Sequence, residues 1–488
     1  MRLSKIVNAL KESKVLYEGD WEREISSLSA DSKNEVCEGL FFCLNGEHFD
    51  GHDYAAEAVK NGCIAVVCER RLSIDVPQIV VLDSRMALGV IASVFYGEPS
   101  QKMKVIGVTG TNGKTTTSYM LASILENSGK KVGVIGTLGI TYGGMCFPCD
   151  LTTPDPIVLQ KTFAKMAFAG IEYVVMEVSA HALYYNKVAG VCYSACIFTN
   201  LTQDHLDFFK EMAAYKNAKA KLFDEDFCPV AILNGDDEVG REFATLRSKG
   251  KTVFYGLHTP ADAFAVITEE GLKRTDCVLN INDKLFRVAL ALTGRHNIYN
   301  ALAAAACACE LGVFSVTEGL NALKVVEGRL EWIATWQNSE IYLDFAHTPD
   351  GLEKSLNALK KHCRGRLICL FGCGGNRDKG KRPLMGECVA KNADFAIITS
   401  DNPRYEDQLD IISDIEKGFR RFSARYVVVP DRKRAISYAL DFLQKGDILL
   451  LAGKGGEKTQ EIMGIKYPFN EHDIVKDLLE KKGNNPFS

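Results

Sequence analysis

Long apolar runs, an excess of positive charge and repeated or low-complexity tracts are all missing from this 488-residue sequence. Its most apolar stretch, ALAAAACAC at residues 301–309, is far too short to cross a bilayer. The opening MRLSKIVNALKESK lacks the apolar core of a signal peptide, so a cytoplasmic protein without membrane insertion is expected. Lysine and arginine number 58 against 62 acidic residues, a net charge of −4. That balance offers no electrostatic footprint for nucleic acid or an anionic membrane, although a local basic pocket for a phosphorylated ligand stays open. The 16 cysteines are expected to be scattered thiols, reduced and mostly buried, with no Cys-x-x-Cys redox or metal pair.

What is present is the composition of a globular protein with a full core: 47% hydrophobic and 25% charged residues. At roughly 150 residues per domain, the length suggests about three domains. Short buried-strand patterns, CIAVVCE and QIVVLD, lie before a Pro-Ser linker at 99–100. From Val105, apolar runs (VGVIG, YVVMEVS, SACIFTNL, VAILNGDD) alternate with helical segments, the rhythm of a parallel sheet wrapped by helices. Near VVEGRLEWI the pattern restarts and runs through EIYLDFAH, RLICLFGCGG, FAIITSDNPR, RYVVVPD and DILLLAGKG. The expected class is α/β, in three domains at 1–98, 99–325 and 326–488, the central sheet mostly parallel and the last domain Rossmann-like.

The stretch VIGVTGTNGKTTTSYML at 105–121 is a phosphate-binding loop with an altered spelling. The general form places a glycine five residues before the Gly-Lys pair, at position 108, where this chain has Val. Glycines stand instead at 107, 110 and 113. The strand–turn–helix context is intact. Backbone amides of Gly110, Thr111, Asn112, Gly113, Thr115 and Thr116 would cradle phosphates at a helix N-terminus. Lys114 would neutralise the β and γ phosphates, and the Thr115 hydroxyl would hold Mg²⁺. The alternative, a ligand-free glycine turn, is disfavoured by the Gly-Lys-Thr ending. The loop by itself implies only a nucleotide.

Two further runs end buried strands with chemistry at their tips. VVMEVSAHAL presents Glu177, Ser179 and His181; FTNLTQDHLDFF presents Asn200, Asp204, His205 and Asp207. Ligands bind at that edge of open α/β sheets. In isolation His205 would read as an ordinary strand-end histidine, and the lysines of YKNAKAKLF as a solvated helix face.

The spelling GTNGKTT, together with NLTQDHLD, resembles the Mur ligase superfamily, which includes folylpolyglutamate synthetases, and the resemblance runs over nearly the whole chain. It implies an ADP-forming ligase: a carboxylate becomes an acyl phosphate, which an amine then attacks. It implies ATP as co-substrate and Mg²⁺ as cofactor, with Glu177, His205 and Thr115 as metal ligands. It also implies that Lys219 reacts with CO₂ to become a carbamate at the metal. Lys114, Lys219, His205 and Glu177 would carry catalysis. Asn297 in TGRHNIYN, Arg329 in EGRLEWI, and Asp344 and His347 in YLDFAHTPDGL would contact ATP. The N-terminal domain resembles a UDP-binding unit, with Ser32 of Asp-Ser-Lys and His48 toward the uridine diphosphate. Thr152 and Thr153 of LTTPDP, with Ser179, Tyr185 and Lys187, would touch a UDP-muramoyl peptide. The family's Asn before those threonines is Leu151 here.

The amino-acid pocket carries the most specific signal. TSDNPRYED places Asp401, Asn402, Pro403 and Arg404 after a buried strand. Asp-Asn-Pro alone reads as a turn. The guanidinium that follows matches a carboxylate bidentately. Diaminopimelate has such a carboxylate at its far end and lysine has none. The element resembles that of the diaminopimelate-adding branch. Arg377 in GCGGNRDKGKRPLM, with Arg382 as a weaker candidate, and Gly453 and Glu457 in LLAGKGGEKTQ would line the same pocket, with Gly456 standing where the family has His. The implied partners are small molecules alone: UDP-muramoyl dipeptide, meso-diaminopimelate and ATP, handled by a monomer. A lysine-adding ligase, a folylpolyglutamate-synthetase-like ligase and, from another class, a P-loop ATPase switch remain the alternatives.

Overall fold

The computed structural model describes residues 1–10, 16–18, 20, 22–46 and 49–483. Three sheets follow one another along the chain. The first has five strands in the order Leu16–Glu18, Gln78–Val80, Cys63–Cys68, Gly39–Phe42, Ser27–Ser29, parallel except at Leu16–Glu18. Helices Leu3–Ala9 and Ser84–Phe95 pack together on it. Asp83 caps the second of these, accepting from the amides of Arg85 and Met86 at 2.9 Å each. Its other oxygen accepts from Asn186 Nδ2 of the next unit at 2.9 Å. Asp83→Ala removes an N-cap, so a loss of about 1 kcal/mol is expected in urea unfolding.

The second sheet has eleven strands. Seven run parallel in the order Ala263–Glu270, Lys251–Gly256, Val230–Asn234, Tyr193–Phe198, Lys104–Thr109, Tyr173–Glu177, Val132–Gly136, with antiparallel strands at both edges. Its central strands are buried on both faces because helices cover both, which is why they read as unbroken apolar runs rather than alternations. Helix Arg295–Glu310 holds the ALAAAACAC run. Residues 301–308 are all fully buried, so apolar all round means core here, not membrane. Among the described residues no helix is long and apolar enough to cross a membrane.

The third sheet has six strands in the order Glu331–Trp336, Ser339–Asp344, Ile448–Ala452, Leu367–Phe371, Phe395–Ile398, Tyr426–Val428, all parallel but the first. A hairpin, Thr459–Ile462 with Ile465–Pro468, lies beyond it. The α/β class and the mostly parallel central sheet match the sequence expectation. The C-terminal strand edges of the second and third sheets both open onto one cleft, and that arrangement sets the site.

Candidate active site

The cleft has a volume of about 960 Å³. It is lined from the central unit by the phosphate loop, Glu177, His205 and Asn297, and from the C-terminal unit by Arg329, Asp344, His347, Arg377, Asp401, Asn402, Arg404, Gly453 and Glu457. The loop follows strand Lys104–Thr109 and feeds helix Lys114–Asn127. Two glycines are required by close approach. A Cβ on Gly110 would lie 1.9 Å from Thr199 Oγ1, and one on Gly113 would lie 2.5 Å from Asn300 Oδ1. Both also adopt positive φ. The altered spelling is thus a differently placed set of glycines serving the same turn.

Lys114 Nζ donates to the carbonyls of Gly110 (2.9 Å) and Thr111 (2.8 Å), and Lys219 Nζ donates to Gly110 O at 2.8 Å. Two lysines therefore share one loop carbonyl. Lys219 is 1% exposed; burial, then the neighbouring Lys114, holds its pKa well below the usual lysine value. Burial also lowers Lys114, with Glu177 opposing. Lys216 pairs instead with Glu242 at the surface, as the helix-face reading has it.

Glu177 ends strand Tyr173–Glu177 and accepts from Thr137 N (2.9 Å) and Thr137 Oγ1 (3.2 Å). His205 sits at φ +56°, its Nε2 3.4 Å from Asp204 Oδ2 and its ring edge-on to His181. Burial pushes His205 down to about 3 against the pull of Asp204, so the imidazole is neutral near pH 7 and its lone pair is free to bind a cation. Burial alone would raise Asp204, but His347, Lys381 and His205 hold it well below the carboxylate range. Among the described residues no group of three or more His, Cys, Asp or Glu could by itself hold a metal ion. Mg²⁺ needs no such cage, since it keeps waters and uses one or two protein donors beside phosphate oxygens. Asp207 Oδ1 is buried without a hydrogen-bond partner among the described residues, an anionic oxygen left over beside His205. The donor set, hard oxygens plus one neutral imidazole next to a phosphate loop, fits Mg²⁺ held jointly with a nucleotide.

Side chains join the two units across the cleft. Arg329 Nη2 donates to Thr115 Oγ1 (2.8 Å) while its guanidinium stacks on Phe345. Asn112 Nδ2 donates to Asp350 Oδ2 (2.7 Å), and Lys381 Nζ to buried Asp204 Oδ1 (3.1 Å). Asp344 accepts from the amides of Leu330 and Ala346 and from Ser355 Oγ, fixing the segment that carries Arg329. Asn297 donates to Thr293 O and accepts from Asn300, which in turn accepts from Thr117 behind the loop. In the amino-acid corner, Asn402 donates to Glu457 Oε2 (2.9 Å) and accepts from buried Lys454 (3.1 Å). Arg404 Nη1 donates to Gly375 O (2.8 Å). Pro403 backs this corner without lining the cleft.

The sequence reading missed Lys381, Asp350 and Lys454, whose partners lie in distant segments or read as ordinary turn residues. Several expected residues lie outside the cleft or are held by other partners. Arg382 is 1% exposed and locked onto Glu406 and Asp414, a staple outside the cleft. Thr152 and Ser179 line the cleft, but the Thr153 hydroxyl donates to Glu177 O and accepts from Ser179 N, bracing the strand end. Tyr185 stacks under Arg85 of the N-terminal unit, and Lys187 pairs with Asp155 at 2.7 Å, both away from the cleft. Ser32 donates to Glu57 within the N-terminal unit (2.5 Å). His48 lies outside the described residues. All 16 cysteines are free and ten are buried, but the expectation of no Cys-x-x-Cys pair is overturned: Cys146 and Cys149 stand in that spacing. Their sulfurs contact different carbonyls, Leu138 and Leu151.

Three family models match the chain: the Mur ligase middle domain over residues 108–308, the Mur ligase glutamate ligase domain over 328–455, and the Mur ligase family catalytic domain over 24–96. UDP-N-acetylmuramoyl-L-alanyl-D-glutamate–2,6-diaminopimelate ligase of Caldanaerobacter subterraneus is 42% identical over 481 residues, 97% of this chain and 99% of that one. This chain belongs to the Mur ligase family. The ligases bearing the same name from Geobacillus kaustophilus and Clostridium acetobutylicum (there numbered 1) are each 42% identical, over 94% and 99% of this chain and 96% and 100% of theirs. A solved structure titled as this diaminopimelate ligase superposes at TM-score 0.70 and 29% identity, over 99% of this Mur ligase and all of that chain. MurF of Thermotoga maritima, solved with ADP, shares the fold at TM-score 0.62 and 20% identity, over 93% of this chain and 97% of that one.

Proposed function

We propose that this Mur ligase adds meso-diaminopimelate to UDP-N-acetylmuramoyl-L-alanyl-D-glutamate, converting ATP to ADP and phosphate, as a step in making peptidoglycan precursor. The observation that carries this reading is Arg404, in an Asp-Asn-Pro-Arg turn, lining the same cleft as the phosphate loop. The likeness to diaminopimelate ligases over nearly full length supports it. The peptide-end carboxylate attacks the γ-phosphate, forming an acyl phosphate and releasing ADP. The amine of the incoming amino acid then attacks the acyl carbon, and phosphate leaves with its pair of electrons.

Each residue's part follows from its place. The loop amides and Lys114 bind the triphosphate and stabilise charge on the transferring phosphoryl group. Asn297, Arg329, Asp344 and His347 complete the ATP site from two units. Mg²⁺, when bound, would be held by Thr115, Glu177, His205 and Lys219 as carbamate, and would screen repulsion between the two anions. Asp401, Asn402, Pro403, Arg404, Arg377, Gly453 and Glu457 form the diaminopimelate pocket. Ser32, His48, Thr152, Thr153, Ser179, Tyr185 and Lys187 form the UDP-muramoyl side, which extends toward the N-terminal unit. The working division into domains is 1–98, 99–325 and 326–488, acting in the cytoplasm as a monomer. The phosphate chemistry sits between two units, so closure on both would exclude water from the acyl phosphate.

Phosphate release measured with each substrate omitted in turn tests the reading. Release is expected only when ATP, UDP-muramoyl dipeptide and diaminopimelate are together. Steady release from ATP alone would favour a nucleotide switch, and full activity with lysine in place of diaminopimelate would favour the lysine-adding branch.

A further inference from the structure

The chain passes from the central to the C-terminal unit between helix Val316–Ala322 and strand Glu331–Trp336. Val326 belongs to the central core and Leu330 to the C-terminal one, so Arg329 lies inside the short crossing between two cores. Its neighbours Gly328 and Leu330 adopt φ +65° and +45°. The first must be glycine, since a Cβ there would lie 2.1 Å from Gly456 N. The second is a left-handed conformation that a leucine adopts only when its surroundings impose it. Arg329 N donates to Val326 O (3.0 Å) and Phe345 N to Gly328 O (2.9 Å). The buried Gly328 amide is left to a side chain: it donates to Glu331 Oε2 at 2.7 Å. The same oxygen lies 3.2 Å from Nε2 of His472, at the start of helix Glu471–Lys481. The buried Glu471–Arg432 pair, at 2.8 Å, pins that helix in turn. Arg329 Nε is buried without a hydrogen-bond partner among the described residues, a donor left over on a residue that lines the cleft.

We infer that Glu331 is a positioning residue for the nucleotide: backed by His472, it holds the Gly328 amide and thereby the turn that presents Arg329 to ATP. The inference rests on the proposed ATP site and not on which amino acid is added. Neither Glu331 nor His472 lines the cleft, so both act through Arg329. A charged acceptor on the amide is stronger than a neutral one, and without any acceptor the amide is buried and unpaired. The left-handed turn would then be free to relax, and the guanidinium with it. His472 makes this hold depend on protons. Its hydrogen bond to Glu331 raises its pKa above the ordinary histidine value; burial opposes, and the charges of Glu331, Glu327 and Asp473 add to the rise. Of the cations around it, Lys458 pairs with Glu327 at 3.6 Å, Arg432 pairs with Glu471, and Lys476 lines the same small cavity as His472. The protonated ring donates to Glu331, so the hold is complete below the raised pKa and is lost as pH rises through it.

The test measures Mg²⁺-ATP binding by calorimetry, and KM for all three substrates, in wild type, Glu331→Ala, Glu331→Gln and His472→Gln. The range is about pH 6 to about pH 9, which brackets a raised histidine. Glu331→Ala is expected to weaken ATP by on the order of tenfold, the worth of a hydrogen bond to a charged group. KM for the dipeptide and the amino acid should stay within about twofold of wild type. A role confined to stability would lower the amount of folded enzyme and leave KM alone. Glu331→Gln keeps an acceptor for the Gly328 amide without the charge, and His472→Gln keeps a donor that takes up no proton. Both should bind ATP at the wild type's high-pH level at every pH; comparison with wild type at each pH cancels the titration of ATP itself. The inference is overturned if Glu331→Ala binds ATP as wild type does, if all three KM values rise together, or if either glutamine variant follows the wild-type pH profile. Should Glu331→Ala fail to fold, the two glutamine variants decide alone. A wild type that does not bind Mg²⁺-ATP overturns the proposed function and this inference with it, whereas ATP binding that ignores Glu331 overturns this inference only.

Discussion

Lys219→Ala is expected to lose turnover by on the order of 100-fold or more, the scale for removing a group that orients a metal or stabilises a transition state. The expectation comes from the lysine's surroundings. Its amine is fully enclosed, bonded to the carbonyl of Gly110, and neighboured by the cationic Lys114. A second permanent cation there would gain nothing from the triphosphate that Lys114 does not already supply, and it would bear the cost of burial. Those same conditions favour a neutral amine, the form that attacks CO₂. Carbamylation would turn the position from cation to anion on a long arm, at the foot of the phosphate loop. Short carboxylic acids added to Lys219→Ala should therefore restore part of the lost rate by filling the carbamate's space, while added amines should not. Steady-state rates with and without such acids decide the matter. An alanine variant with full activity would remove the carbamate from the account.

Lys219 also marks the limit of what local sequence makes legible. The phosphate loop and the Asp-Asn-Pro-Arg turn are readable because each is contiguous and follows a buried strand, so the residue pattern and its place in the sheet arrive together. The three α/β units are readable for the same reason, since parallel strands buried on both faces become unbroken apolar runs. Lys219 reaches Gly110 across 109 positions, and Lys381 reaches Asp204 across 177. In sequence each is one more lysine on a polar helix; only packing reveals that the amine is buried. The reverse holds for Arg382. It sits in a motif-like run beside Arg377, yet Glu406 and Asp414 claim it, and its local spacing carries no sign of those partners. Of the residues expected to touch the UDP-muramoyl peptide, Tyr185 falls at a contact between units, with Arg85, where side-chain direction depends on how two domains meet.

Arg404→Ala is expected to cost diaminopimelate use about 2–5 kcal/mol in transition-state binding, the scale for truncating one partner of a desolvated charge pair. The loss has two sources. The substrate's far carboxylate would enter the cleft without its guanidinium, and Glu461, now facing no cation at 3.2 Å, would oppose it. Removing Glu461 as well should therefore recover part of the loss, because the repulsive half of the penalty disappears. Arg404→Lys should recover little: an ammonium carries the charge but not the fork, and it lacks the planar geometry that meets Gly375 O, Glu461 and a carboxylate at once. The phosphate loop and the UDP-muramoyl side are untouched by these changes, so KM values for ATP and the dipeptide should stay within about twofold of wild type, as for independent, non-contacting sites. The measurement is kcat/KM for diaminopimelate in Arg404→Ala, Arg404→Lys and the Arg404→Ala/Glu461→Gln double variant. Unchanged kinetics in Arg404→Ala would remove the guanidinium from amino-acid recognition, and with it the reason to favour diaminopimelate over lysine.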